Sequence, residues 1–291
     1  IALDVRTVFF TARANRTLVA VAKETLANQQ KHFQQINGLV QIGTRAPIDR
    51  AQAAKDLANA RLQLIKAQAA YETSRAQLDQ AMGEPGPAGY DVAEEAMPVV
   101  AGEEKPLAEL FKEAAAHRPD LAALDAQIQA QQFSIDATSH NTHPTLRATG
   151  GVGSNGAPAS GANNTISGGL SLNWPIWSGG AQQAQLDEAK ASLEGLQAQA
   201  DGQRQALQLE VEQARLAVSS EKAAVVAAAE STKNAREQLR LAEGRYAAGV
   251  GSVIELADAQ LGYTSAAAQE VQEGYRLATA RAQLLKALGR P

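Results

Sequence analysis

Two heptapeptides, Gly43-Thr-Arg-Ala-Pro-Ile-Asp49 and Gly249-Val-Gly-Ser-Val-Ile-Glu255, stand 206 residues apart and decide the fold. Each follows a long helical pattern that stops at a glycine, where a left-handed backbone costs little. Each is followed at once by a helix-start signal. Ser252 and Glu255 have the spacing of a capping box, and Pro47 suits a first helical position. Extended outward, the same 206-residue offset aligns residues 1–83 with 207–289 without a gap, with 20 identical pairs. Among them are Val5/Val211, Glu24/Glu230, Gly38/Gly244, Ile48/Ile254 and Thr73/Thr279. Both copies end alike, in Arg75-Ala-Gln-Leu-Asp-Gln-Ala-Met-Gly83 and Arg281-Ala-Gln-Leu-Leu-Lys-Ala-Leu-Gly289. Chance similarity of alanine-rich helices explains shared alanines, but not two glycines and a terminal motif in one register.

Within each copy the apolar positions step 4, 3, 4, 3. The second copy reads Leu207, Val211, Ala214, Val218, Glu221, Val225, Ala228, Thr232, Ala235, Leu239, Ala242, Tyr246. The first reads Ile1, Val5, Val8, Ala12, Asn15, Val19, Ala22, Leu26, Gln29, Phe33, Ile36, Val40. A stripe repeating every 3.5 residues is a coiled-coil seam, and the polar residues Asn15 and Glu221 at one shared step are candidates to pin its register. The helix returning from each turn is expected to run roughly 36 residues, about 54 Å, and the pattern from Ala181 to Ala248 about 100 Å. Composition agrees: 61 alanines and 28 glutamines against 4% aromatics leave too little bulk for a thick globular core. A net charge of −4 gives no basic footprint for nucleic acid, and the absence of cysteine removes disulfides and thiolate metal sites. No run of eighteen apolar residues exists, so no transmembrane helix is expected.

Residues 84–106 hold Pro and Gly without a period and read as a connector. Short helices are expected near 107–116 and from about 119 to 139. Past Pro144 the period changes to two. Leu146, Ala148, Gly150 and Val152 alternate with Thr145, Arg147, Thr149 and Gly151, and Ile166 through Ile176 alternate with Ser167 through Pro175. Such strands have the length of tilted membrane-spanning strands, and Trp174 and Trp177 at one end suit an interfacial girdle. A half-buried hairpin in a soluble protein is the competing reading.

Three features together resemble the outer membrane efflux protein family, the TolC-like ducts. They are the tandem turn motif at Gly43–Asp49 and Gly249–Glu255, the strand-to-helix signature from Leu170 to Gly180, and Arg118-Pro-Asp-Leu121 ahead of a helix and Pro144. The resemblance covers essentially the whole chain. It implies a mainly α fold of long antiparallel coiled-coil helices forming an α-barrel segment. A two-stranded antiparallel portion of a transmembrane β-barrel would be added to it, in a tandem repeat. The segments expected are a helix–turn–helix arm at 1–83, a connector at 84–106, helices at 107–141, a β-hairpin at 142–180 and a second long arm at 181–291. The family would supply four strands and this chain has two, so about 100 residues are expected ahead of Ile1.

No enzyme constellation is present, and neither cofactor nor metal is expected. His140 and His143 lack an evident third ligand and read as a solvated turn. The resemblance implies a passive homotrimeric exit duct, in the outer membrane with its helices in the periplasm. A periplasmic adaptor protein and, through it, an inner-membrane pump would open it. A non-channel periplasmic coiled-coil adaptor is the alternative. By the same match, Gly43, Thr44, Ala46, Gly249, Val250, Gly251 and Ser252 would meet the adaptor. Glu255, Asp258, Asp49 and Gln52 would ring the constriction, while Tyr246 braces the closed state. The acids also fit first-turn capping and the helix dipole, so both readings stand. Arg45 occupies the step at which the second copy has Gly251, which leaves an ionic tie between the turns open.

Overall fold

The computed structural model describes residues 2–83, 89–94, 98–141, 143–155 and 163–290. Residues 1, 84–88, 95–97, 142 and 291 and the loop between the two strands, 156–162, lie outside these described residues. The chain divides into two compact units, Ile1–His117 with Leu207–Pro291, and Arg118–Ala206.

The first unit is built on the duplicated arms. Helix α1 (Ala2–Gln41) turns at Gly43 into α2 (Pro47–Met82), and α5 (Ala181–Ala247), whose later part belongs to this unit, turns at Gly249 into α6 (Val253–Ala287). α2 and α6 run 36 and 35 residues, the returning length expected from the sequence. Both turn glycines hold a left-handed backbone, with φ of 84° and 77°. The seam of the second copy is buried at Leu207, Val211, Ala214, Val218, Ala228, Thr232, Leu239, Ala242 and Tyr246. At its polar step, Glu221 keeps one carboxylate oxygen buried without a hydrogen bond.

α1 packs on both α2 and α6. Its contact with α6 carries polar pairs as well as methyl groups: Gln29 Nε2 donates to Gln260 Oε1 at 2.7 Å, and the hydroxyls of Thr25 and Thr264 lie 3.3 Å apart. The Tyr263 hydroxyl donates to Glu24 at 3.2 Å and accepts from Arg236 of α5 at 3.0 Å, tying three helices at one level. The pairing is incomplete, since Gln29 Oε1 stays buried without a hydrogen bond, at a cost the seam must carry.

The connector packs more tightly than its lack of period suggested. Val92 and Val100 are buried. Arg16 and Arg75 donate to the carbonyls of Val92 and Tyr90 at 2.6 and 2.7 Å, replacing ladder bonds with side-chain bonds. Just before α3 (Leu107–His117), Glu103 turns inward with its side chain 2% exposed. It meets Arg281 of α6 at 3.0 Å and Lys222 of α5 at 3.1 Å, and accepts from the Val100 N–H at 3.2 Å. Burial pushes its carboxyl pKa up, but the two cations and the amide outweigh that and hold it below the usual value.

In the second unit, Arg118-Pro-Asp-Leu121 is a helix-start clamp. Pro119 opens α4 (Pro119–His140) with no amide to satisfy. The Arg118 guanidinium grips both Asp120 oxygens, at 3.0 and 2.6 Å, and holds that carboxyl down to about 2. The hairpin of β1 (Thr145–Asn155) and β2 (Asn163–Asn173) is antiparallel, from Thr145↔Asn173 to Asn155↔Asn163. Leu146 faces Leu172, Ala148 faces Leu170 and Val152 faces Ile166, so the even positions share one apolar face. The sequence reading carried the second strand to Ile176; the ladder ends at Asn173, because β1 begins only after Pro144 and Pro175 has no N–H to donate. Trp174 and Trp177 therefore lie just past the strand, both exposed.

Candidate functional site

The two turns lie together in the first unit. One buried cluster joins Ile36 of α1, Ala53 of α2, Leu239, Ala242 and Tyr246 of α5, and Leu256, Ala259 and Tyr263 of α6. All four arms therefore close on one core just behind the turns.

The turns are built differently. In the first, the amides of Gly43 and Thr44 return to the carbonyls of Val40 and Leu39, both at 3.0 Å, and the Thr44 hydroxyl also reaches Leu39 at 2.8 Å. α2 then begins at Pro47 behind Ala46, which offers no side-chain cap. In the second, the amides of Val250 and Gly251 converge on the Arg245 carbonyl at 3.1 and 2.9 Å. Ser252 caps α6 by accepting from the Glu255 N–H at 3.0 Å. Only half of the expected capping box forms, since the Glu255 carboxylate turns to Arg245 at 2.9 Å. An arginine outcompetes a second backbone amide because both partners are charged.

Tyr246 is 6% exposed and belongs to the core behind the turns. The Arg45 guanidinium lies 4.8 Å from its ring centroid, and the buried His32 ring meets it edge-on at 5.4 Å. The tie between the turns thus runs from Arg45 to an aromatic face. Burial raises the Tyr246 pKa, with Arg45 opposing and Asp49 adding to the rise. Burial likewise lowers that of His32, which Asp56 partly restores. His32 has no counterpart in the sequence reading, which placed the stripe at Gln29 and Phe33 and so passed over it.

Gln52 and Asp258, the matched positions of the two copies, line one polar groove of about 330 Å³ with Asp56 and Gln260. Gln52 donates to Asp56 at 3.1 Å. Asp258 and Glu255 are exposed, whereas Asp49 is half-buried. Gly251 admits no side chain: a Cβ there would stand 2.8 Å from the Tyr246 amide nitrogen. Gly251→Ala is expected to cost about 1–3 kcal/mol through overpacking, seen as faster amide exchange across residues 245–255 in the full-length protein. Unchanged exchange would show that the turn yields freely.

His140 and His143 stack edge to face at 5.1 Å, and among the described residues no group of three His, Cys, Asp or Glu gathers to hold a metal. No described helix is long and apolar enough to cross a membrane.

The outer membrane efflux protein family matches residues 1–84 and 110–290. Protein CyaE of Bordetella pertussis is 27% identical over 243 residues, covering 82% of this chain and 51% of the relative. The solvent efflux pump outer membrane protein SrpC of Pseudomonas putida is 26% identical over 294 residues, covering 98% of this chain and 61% of the relative. The chain thus spans between about half and three-fifths of these relatives' length. The crystal structure of a membrane protein from Pseudomonas aeruginosa superposes with a TM-score of 0.82 at 21% identity, over 99% of this chain and 67% of that one. With the family match running over both copies of the duplicated arm and over the hairpin between them, the chain belongs to the outer membrane efflux protein family.

Proposed function

We propose that this chain supplies the tunnel arms and two strands per protomer of a passive homotrimeric exit duct in the outer membrane. The helices stand in the periplasm, and a periplasmic adaptor docks at the turns Gly43–Ala46 and Gly249–Ser252. An inner-membrane pump supplies the driving energy through the adaptor. The supporting observation is a hairpin with one face free of polar side chains from Leu146 to Val152 and from Ile166 to Leu172, carried by a chain whose helical arms close on a common tip. An apolar strand face exposed at Leu146, Val152, Ile166, Leu170 and Leu172 demands a nonaqueous neighbour. The efflux name of SrpC supports the same reading. Ion conductance of the full-length protein in planar bilayers tests it, and a protein that inserts without conducting would refute it.

At the closed end, Glu255 and Asp258 lie one helical turn apart and both face outward from the core. Under three-fold symmetry they bring six carboxylates around one axis, which holds cations. Alanine at both positions is expected to weaken cation selectivity and block by multivalent cations while the trimer persists. If Glu255 serves only its own helix, through Arg245 and the Ser252 cap, selectivity stays as it was and the constriction lies elsewhere.

A further inference from the structure

From Ala137 to Leu186 the chain carries one formally charged residue at neutral pH, Arg147. The ladder pairs Arg147 with Ser171, on the face of Thr149 and Ser167 and opposite that of Leu146 and Leu172. Three hydroxyls on this face turn to the cross-strand backbone: Thr145 donates to the Asn173 carbonyl at 3.3 Å, Thr149 to that of Gly169 and Ser167 to that of Gly151, both at 3.4 Å. Small residues flank the arginine along the strands, with Gly151 opposite Ser167 and Gly169 opposite Thr149. Among the described residues Arg147 has neither an ion pair nor a hydrogen-bond partner. It is the third residue of β1, so it lies about 7 Å from the helix-linked end of the hairpin.

We propose that Arg147 forms a positive ring at the inner mouth of the barrel lumen, one that draws in anionic solutes carrying carboxylate or phosphate groups. The inference rests on the duct reading above and adds to it a second selective element, opposite in sign to the acidic tip. Guanidinium stays charged at any working pH and binds carboxylate or phosphate through two parallel hydrogen bonds. The hairpin itself carries no acid to neutralise it, since the nearest in sequence are Asp136 and Asp187, at the helical ends of the segment. Rings of basic side chains favour anions in pores. Three charges on the wall of a wide lumen act within a Debye length, about 8 Å at physiological salt and about 30 Å at 0.01 M.

The test reads the local potential directly, and so is insensitive to resistance at the tip. Thr149→Cys in a cysteine-free full-length background places a thiol on the same face, two residues from Arg147 and about 7 Å away. Its modification rate by an anionic and by a cationic methanethiosulfonate is measured in lipid vesicles, with and without Arg147→Gln. The anionic-to-cationic rate ratio is expected to fall about five-fold on Arg147→Gln at 0.01 M salt, and about two-fold at 0.15 M. Ala148→Cys, on the apolar face, is expected to resist both reagents. A reactive Thr149→Cys whose ratio ignores Arg147→Gln would overturn the ring and leave the duct standing. A Thr149→Cys that neither reagent reaches would overturn the water-filled lumen, and the ring with it.

Discussion

Arginine placed at Leu172 is expected to destabilise the assembled barrel by about 2–4 kcal/mol if that site lies near the bilayer midplane, whereas arginine at Ser171 is tolerated. The two positions are adjacent, and their backbones share one ladder. They differ in face: Leu172 stands opposite Leu146, and Ser171 opposite Arg147. A guanidinium on the lipid side must be dragged out of hydrocarbon or pull water in after it, while on the lumen side it stays hydrated. Denaturant titration of the full-length protein refolded into vesicles measures both variants. Equal costs at the two positions would reject the alternation and, with it, the membrane reading of the hairpin.

The second large effect is expected at Glu103. Its side chain is 2% exposed and that of Arg281 11%, so truncating the acid leaves a buried guanidinium without its carboxylate. Glu103→Ala should cost about 3–5 kcal/mol. Replacing Glu103 and Arg281 together by apolar residues of similar volume should cost much less, because no orphaned charge then remains. The pH dependence has a definite sign. The folded-state pKa of Glu103 lies below the ordinary 4.5, so the unfolded chain binds this proton more readily. The contribution is therefore fully present above about pH 4.5 and is lost as pH falls through the folded value. Glu103→Gln should remove that part of the acid sensitivity. An acid-unfolding profile identical to the parent's would mean that the carboxylate is hydrated after all.

The duplicated arms were legible because periodicity and a gapless offset report the backbone directly. Gly43 and Gly249 mark left-handed turns in the sequence and adopt them in the structure. The polar pairing of Thr25 with Thr264 and of Gln29 with Gln260 was not legible, since it depends on which two helices meet and at what stagger. Glu103 was hidden for the same reason: it sits in an aperiodic connector, and its partners are 178 residues away on α6 and at Lys222 on α5. The capping box was half right because Ser252 acts locally, whereas the carboxylate of Glu255 chose a partner ten residues back. The roles of Glu255, Asp258, Asp49 and Gln52 at a constriction depend on a symmetry axis, and one chain cannot express that.

The unequal finish of the two turns has a consequence for stoichiometry. Duplication produces two equivalent tips, but here one is entered through Ala46 and Pro47, and the other is fastened by Ser252 and an Arg245–Glu255 pair. A partner that recognises a single tip therefore meets two unlike epitopes on every protomer. Its titration should resolve into two steps, filling the better epitope before the poorer one, so that occupancy at half saturation already has an orientation.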